Sequence, residues 1–324
     1  MNDRTMRTIG TTGIEVSELS LGSWNTYSRL SFEANVALVD HAYRSGIRFF
    51  DVAYYRDKPH TEVLFGRMLQ EASFGREDIV LAEKVWFFDY PERSLAAQLD
   101  ASLRRLAVER VDVIIVEHPR EGMDVEALAE EAAGLVTSGR ARVWGGLNWR
   151  PELIHRAWSH CRERGLPTPE LVQLKYSLVR QNVVDGPDYT TVLAETGISV
   201  HASDSLEGGI LTGTLAPVRT IGLDIGGIRE EIRARVPAIQ AAAAELGVTA
   251  AEFAIAFAVS KPEVCSLLFG ATRPEQIDAN LRGVALAAAR GDEVRRLAAG
   301  LGIDAHEIDP PYAHAAPLTE EFVA

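Results

Sequence analysis

Six polar residues stand where short apolar runs end, and their types are those of proton-transfer chemistry. Asp51 follows Arg48-Phe49-Phe50, and Lys84 follows Val80-Leu81-Ala82-Glu83. Glu117 and His118 follow Val113-Ile114-Ile115-Val116, Asn148 follows Gly145-Gly146-Leu147, and Gln173 lies within Leu171-Val172-Gln173-Leu174. An aspartate, a lysine and a glutamate brought together, without metal-ligand spacing, would move protons rather than hydrolyse through a metal. Each residue also has a bland use. Asp51 could cap a turn, Lys84 could pair with Glu117, and Asn148 and Gln173 could satisfy loop backbone. Their recurrence at the ends of five separate runs favours a shared functional rim.

The elements that must hold such a rim follow from hydrophobic period. Strands are expected at 19–21, 49–51, 79–83, 111–116, 143–147, 171–174, 198–202 and 266–269. Helical periodicity falls between them at 32–45, 61–72, 93–106, 125–138, 152–164, 189–196, 250–259 and 275–288. The strand ends recur at the spacing of one βαβ unit, and continuous apolar strands suit a parallel sheet covered on both faces. A doubly wound sheet would alternate in the same way, but eight units favour a (β/α)8 TIM barrel, whose C-terminal strand ends form one rim. Residues 7–9 and 14–16, around Gly10-Thr11-Thr12-Gly13, are expected to form a hairpin ahead of the barrel. The interval between the seventh and eighth strands is about twice the others, and a loop of that length on a barrel usually covers a ligand. It holds Glu207-Gly208-Gly209-Ile210-Leu211-Thr212-Gly213, then Gly222 to Gly227, then a charged helix from Ile228. A tail beyond Gly302, with Pro310-Pro311-Tyr312 and Pro317, is expected to be irregular and to fold over the barrel mouth.

Composition narrows the class further. The 324 residues fit one large barrel domain spanning 1–324. Acidic residues outnumber basic ones 46 to 33, giving a formal charge of −13, which disfavours a nucleic-acid partner. Two cysteines, Cys161 and Cys265, are too few for a disulfide framework and suit buried thiols in a reducing compartment. No run approaches the roughly 20 apolar residues of a membrane helix, and the start lacks a signal peptide's apolar core. A cytoplasmic protein with no membrane partner is expected.

As an ordered series, several segments resemble the aldo-keto reductases, in particular the bacterial branch related to potassium-channel β subunits and antibiotic-sugar enoyl reductases. They are Arg7-Thr8-Ile9-Gly10, Phe50-Asp51-Val52-Ala53 leading to Gly66, Glu83-Lys84-Val85 and Gly145-Gly146-Leu147-Asn148-Trp149. They continue with Gln173-Leu174-Lys175-Tyr176-Ser177, Gly208-Gly209-Ile210-Leu211-Thr212-Gly213 and Gly270-Ala271-Thr272-Arg273-Pro274-Glu275-Gln276. The resemblance implies carbonyl reduction with NADP(H) by an Asp, a Tyr, a Lys and a His on the rim. Asp51 and Lys84 match that pattern. The Tyr position falls on Arg56, with Tyr55 one place earlier, and the His position falls on Glu117, with His118 one place later. Either two local shifts deliver Tyr55 and His118, or the site carries Arg56 and Glu117; the register favours the second. A glutamate there is what the family's steroid double-bond reductases use, since a neutral carboxyl can polarise an enone. Arg56 would then suit an anionic substrate such as a nucleotide-linked keto-sugar of secondary metabolism, or be a loop arginine paired with Asp57 or Glu62.

The same resemblance implies a dinucleotide site of mixed quality. Asn148 and Gln173 match the residues that hold the nicotinamide amide, but Leu147 stands at the Ser position and Ser203 where an aromatic ring would stack. Leu211 and Gly213 fit a pyrophosphate-covering loop. Gly270 precedes a helix whose N-terminus can receive phosphate, Arg273 offers charge there, and Gln276 and Asn280 match adenine contacts. Around the mouth, Trp24, Tyr54, Trp86 and Trp149 are candidates for a carbonyl or enone substrate pocket, alongside Tyr27 and Phe87. His60, His155, His160 and His201 show no ligand spacing, and surface or core roles are expected. The leading expectation is thus an NADPH-dependent oxidoreductase with an altered tetrad. A redox-neutral lyase or isomerase on the same scaffold, or a silent NADPH-binding regulatory subunit, stands beside it, and a homo-oligomer is compatible with either.

Overall fold

The computed structural model describes residues 6–56, 58–214 and 228–303. The chain enters through two short antiparallel strands, β1 (Met6–Thr8) and β2 (Glu15–Ser17), paired Met6 to Ser17. Eight strands then alternate with helices: β3 (Leu19–Gly22), α1 (Phe32–Arg44), β4 (Phe49–Asp51), α2 (Thr61–Glu71), β5 (Val80–Val85) and α3 (Leu95–Leu106). Next come β6 (Val113–Val116), α4 (Val125–Thr137), β7 (Val143–Leu147), α5 (Pro151–Arg164) and β8 (Pro169–Lys175). A short α6 (Asn182–Asp185) and α7 (Pro187–Thr196) lead to β9 (Ser199–Ser203). A 3₁₀ segment (Glu207–Thr212), α8 (Ile228–Leu246) and α9 (Ala250–Val259) precede β10 (Val264–Phe269) and α10 (Pro274–Ala298). The barrel strands are parallel and close in the order β10-β3-β4-β5-β6-β7-β8-β9, so the expected eight-unit barrel and hairpin are both present. Helix α10 runs ten residues past its expected end at 288, through a kink at Arg290. The tail residues 310–317 and the glycines from 222 to 227 lie outside the described residues.

Helix starts follow from their sequences. Ser31 and Ser94 accept the backbone N–H groups of Ala34 and Ala97, Asp124 caps α4, and Thr249 with Glu252 forms a reciprocal capping box on α9. Helices α5, α7 and α10 open with Pro in their first turn, where the missing N–H costs nothing.

Strand alternation decides which side chains enter the barrel. Phe49, Ala53, Val80, Ala82, Val113 and Ile115 form one inner cluster, closed at its lower end by Ile9, Ile14 and Val16 of the hairpin. Phe50, Leu81, Ile114 and Val116 belong to the larger layer between barrel and helices. Continued past the strand ends, that parity puts Asp51 on the inner side with Phe49, Lys84 with Ala82, and Glu117 with Ile115.

Candidate active site

At the C-terminal strand ends, Lys84 Nζ bonds Asp51 Oδ1, and both residues are buried. Gln173 Nε2 donates to Asp51 Oδ2 at 2.8 Å and contacts His201 Nδ1 at 2.9 Å. His201 Nε2 in turn lies 2.7 Å from Ser20 Oγ. Five strands thus contribute to one internal hydrogen-bonded chain. Burial would push the Asp51 carboxyl up, but the Lys84 ammonium beside it, His201 and the bonds from Lys84 and Gln173 hold it below the usual carboxylate range.

Glu117 is 1% exposed. Its Oε2 accepts the Phe87 N–H at 2.6 Å, while Oε1 is buried without a hydrogen-bond partner. Burial raises its pKa to about 7, against the opposing pull of the Phe87 N–H, Arg120 and Arg56. His118 points the other way. Its Nδ1 meets the Pro119 carbonyl at 2.6 Å, its charged neighbours are Arg150 and Glu152, and burial pulls its pKa down. The register on β6 therefore holds as the spacing indicated, with Glu117 inside.

The register after β4 goes differently. The Glu83 carboxylate, facing the helix layer, accepts the N–H groups of Lys84 (3.0 Å) and Tyr54 (3.4 Å), and Trp86 Nε1 donates to the Tyr54 carbonyl at 2.9 Å. With both peptide units around Tyr54 clamped, its ring turns outward under the Arg105 guanidinium, 4.8 Å away. This corrects Tyr54 as a pocket residue. The next residue, Tyr55, falls inward: its hydroxyl lies 3.5 Å from Ser23 Oγ, and its ring sits 6.4 Å from Trp24 and 6.2 Å from Trp86. Arg56 stays on the rim, ion-paired to Asp89 at 3.1 Å and stacked over Phe88 at 4.3 Å. The two register pairs thus split, with Tyr55 and Glu117 inward, Arg56 beside them and His118 away. Asp57, the alternative Arg56 partner, lies outside the described residues; Glu62 pairs with Arg105.

Trp149 is a second correction. It is fully buried, and its Nε1 donates to the carbonyls of Val116 (3.0 Å) and Glu117 (2.9 Å), so it offers no surface to a substrate and braces the end of β6 instead. Trp24, half-buried, and Trp86, 5% exposed, remain at the mouth. Tyr27 and Phe87 are enclosed in the outer core.

The candidate dinucleotide residues divide by position. Asn148, at φ 52° after β7, and Ser203, at the end of β9, are buried on either side of β8, and the Asn148 N–H donates to the Gln173 carbonyl at 2.8 Å. Leu211 is wholly in the core, so its side chain is unavailable to a cofactor. Around it the backbone is left-handed at Asp204, Glu207, Gly208, Gly209 and Gly213. A Cβ at Gly270 would come within 3.2 Å of Thr26 Oγ1, which keeps β10 close against the loop after β3. Arg273 is exposed at the N-cap of α10. Gln276 caps the same helix, its Oε1 accepting from Thr272 N (2.8 Å) and Arg273 N (3.2 Å). Asn280 is buried one turn further along. Ser20, Ser23 and Lys175 complete the inner rim and were not singled out by spacing; parity with Gly22 marks Ser20 and parity with Gln173 marks Lys175, whereas Ser23 follows the end of β3. Among the described residues no three metal-ligating side chains gather, and no single helix is long and apolar enough to cross a membrane.

A closed eight-stranded barrel whose ionisable side chains converge at the C-terminal strand ends has the architecture of barrel enzymes. The chain belongs to the aldo/keto reductase family, whose family model matches residues 18–299. It is similar, at 27% identity over 297 residues, to an Arabidopsis thaliana protein named "Probable voltage-gated potassium channel subunit beta", covering 86% of this chain and 90% of that one. An Oryza sativa protein of the same name matches at the same identity and coverage.

Proposed function

We propose that this chain is an NADPH-dependent oxidoreductase that reduces a carbonyl or enone, with Glu117 as its hydrogen-bond donor. The observation that carries the reading is the Glu117 carboxyl, buried on the inner face with one oxygen unpartnered and neutral to about pH 7. The residues fit the cofactor at its anionic end, for which Arg273 at the start of α10 offers charge and backbone N–H groups, and the 207–213 segment offers a left-handed glycine loop. When bound, NADPH supplies the hydride. Glu117 Oε1–H would donate to the substrate carbonyl and draw charge from a conjugated double bond. The Lys84 ammonium, held by Asp51, would favour the negative charge that develops on that oxygen. Tyr55, Trp24 and Trp86 would supply an aromatic pocket, and Arg56 could exchange exposed Asp89 for the phosphate of a nucleotide-linked keto-sugar.

The test is substrate-dependent oxidation of NADPH across a panel of carbonyls and enones. Loss of turnover in Glu117→Ala supports the reading, whereas wild-type turnover in that variant sinks it. The similarity to proteins named as channel β subunits favours a second reading, an NADPH-binding subunit of a protein partner. Tight NADPH binding without turnover on any member of the panel would select it. Product formed without NADPH consumption would instead select redox-neutral chemistry.

A further inference from the structure

We propose that His201 is a positioning residue that fixes which end of the Gln173 amide faces the site, and through it anchors the Asp51–Lys84 pair. The inference rests on the oxidoreductase reading for its kinetic consequence, but its geometry stands separately. A primary amide nitrogen carries two hydrogens and accepts none. Gln173 Nε2 lies 2.8 Å from Asp51 Oδ2 and 2.9 Å from His201 Nδ1, so both hydrogens are committed and Nδ1 must be the bare, accepting nitrogen. The ring proton then sits on Nε2 and donates to Ser20 Oγ at 2.7 Å. Phe49 stacks on the imidazole at 4.8 Å, locking its plane. The charged groups that face the ring are Asp51, which favours imidazolium, and Lys84, which opposes it. Burial, helped by Lys84, outweighs Asp51 and lowers its pKa to about 4.

Two consequences follow from this polarity. Gln173 can offer a ligand only its carbonyl oxygen, and therefore selects a hydrogen-bond donor at that point. Asp51 receives bonds on both oxygens, from Lys84 and from Gln173. Without the Nδ1 acceptor the amide can turn over and place Oε1 against Asp51 Oδ2, two acceptors face to face, and the Asp51–Lys84 pair loses its second anchor.

The test combines histidine-selective ¹⁵N NMR with three substitutions. The signal that disappears in His201→Asn should be a neutral ring protonated at Nε2; a ring protonated at Nδ1, or an imidazolium, at neutral pH overturns the proposal. His201→Asn puts an oxygen where Nδ1 sits, whereas His201→Gln puts its amide where Nε2 sits. His201→Gln and His201→Leu should therefore lower kcat about 10- to 100-fold with little change in substrate KM, as small misplacements of a catalytic group do, and His201→Asn should recover most of it. An Asn variant as slow as the Leu variant, or a Gln variant at wild-type rate, overturns it. Thermal melts establish which variants fold, and the Asn–Gln comparison decides even where Leu does not. A wild type inactive on every substrate defeats the oxidoreductase reading instead, and the tautomer spectrum still judges His201.

Discussion

Glu117 concentrates the chemistry at the residue scale, because a carboxyl that is neutral near pH 7 can donate as well as accept. Its pKa of about 7 comes first from burial, with the Phe87 N–H, Arg120 and Arg56 restraining the rise. An activity that needs the neutral form is full below pH 7 and declines as pH rises through it. We expect this basic limb in the kcat–pH profile, and its disappearance in Glu117→Gln, which keeps a donor but does not titrate. Glu117→Ala should cost about 10²–10³ in kcat, the loss seen when one oxyanion donor is removed. His118→Ala should keep wild-type kcat, since His118 faces Arg150 and Glu152. The reverse outcome would place His118 inside. Arg56→Met should raise KM for anionic substrates and leave kcat unchanged, the signature of lost uniform binding.

At the scale of elements, the site depends on how strand ends are braced from the helix layer. Trp149 Nε1 holds the last carbonyls of β6, and its ring packs where a Cβ on Gly146 would intrude to 2.6 Å. Glycine at 146 and tryptophan at 149 are therefore one device. Replacing Trp149 by Phe removes a donor shared by two buried carbonyls and should destabilise the fold by about 1–3 kcal/mol in urea unfolding. Glu117 lies directly at that strand end, so kcat should fall as well; a variant as stable and active as wild type would show the brace to be dispensable. Glu83 does the corresponding work after β4, since its bonds to the N–H groups of Tyr54 and Lys84 set the turn that brings Tyr55 inward.

For the whole molecule, the barrel interior is closed below by the hairpin and tied across its circumference. The Arg7 guanidinium reaches the carbonyls of Val264 (2.6 Å), Val259 (2.6 Å) and Lys261 (3.1 Å) as well as Glu18 (2.6 Å), joining β1 to the last unit. Closing a low-dielectric interior around carboxyls makes global stability depend on pH. The folded pKa of Glu117 lies above its ordinary value of 4.5, so its contribution is complete below pH 4.5 and is lost as pH rises through about 7. The loss is on the order of 3 kcal/mol. Glu207 acts in the same direction, since burial outweighs its bonds to Arg180 and Ser177. Urea midpoints should fall between pH 5 and 8, and the fall should shrink in Glu117→Gln. An equal fall in both proteins would remove Glu117 as the cause.

Sequence by itself determined the barrel, its eight units, the hairpin and the inward register of Asp51, Lys84 and Glu117. These depend on hydrophobic period and residue count along one strand, which are local and additive. The turn that inverts Tyr54 and Tyr55 was not legible, because it depends on Glu83 reaching back 29 residues to the Tyr54 N–H. Nor was His201, which meets Gln173 on the neighbouring strand and Ser20 from the start of the chain only once the barrel closes. Trp149 carried the right residue type for a ligand, yet two strand-end carbonyls claimed it first. Whether a polar side chain faces a ligand or satisfies the protein's own backbone is settled by which unpaired group lies nearest in space, and only the closed barrel decides that.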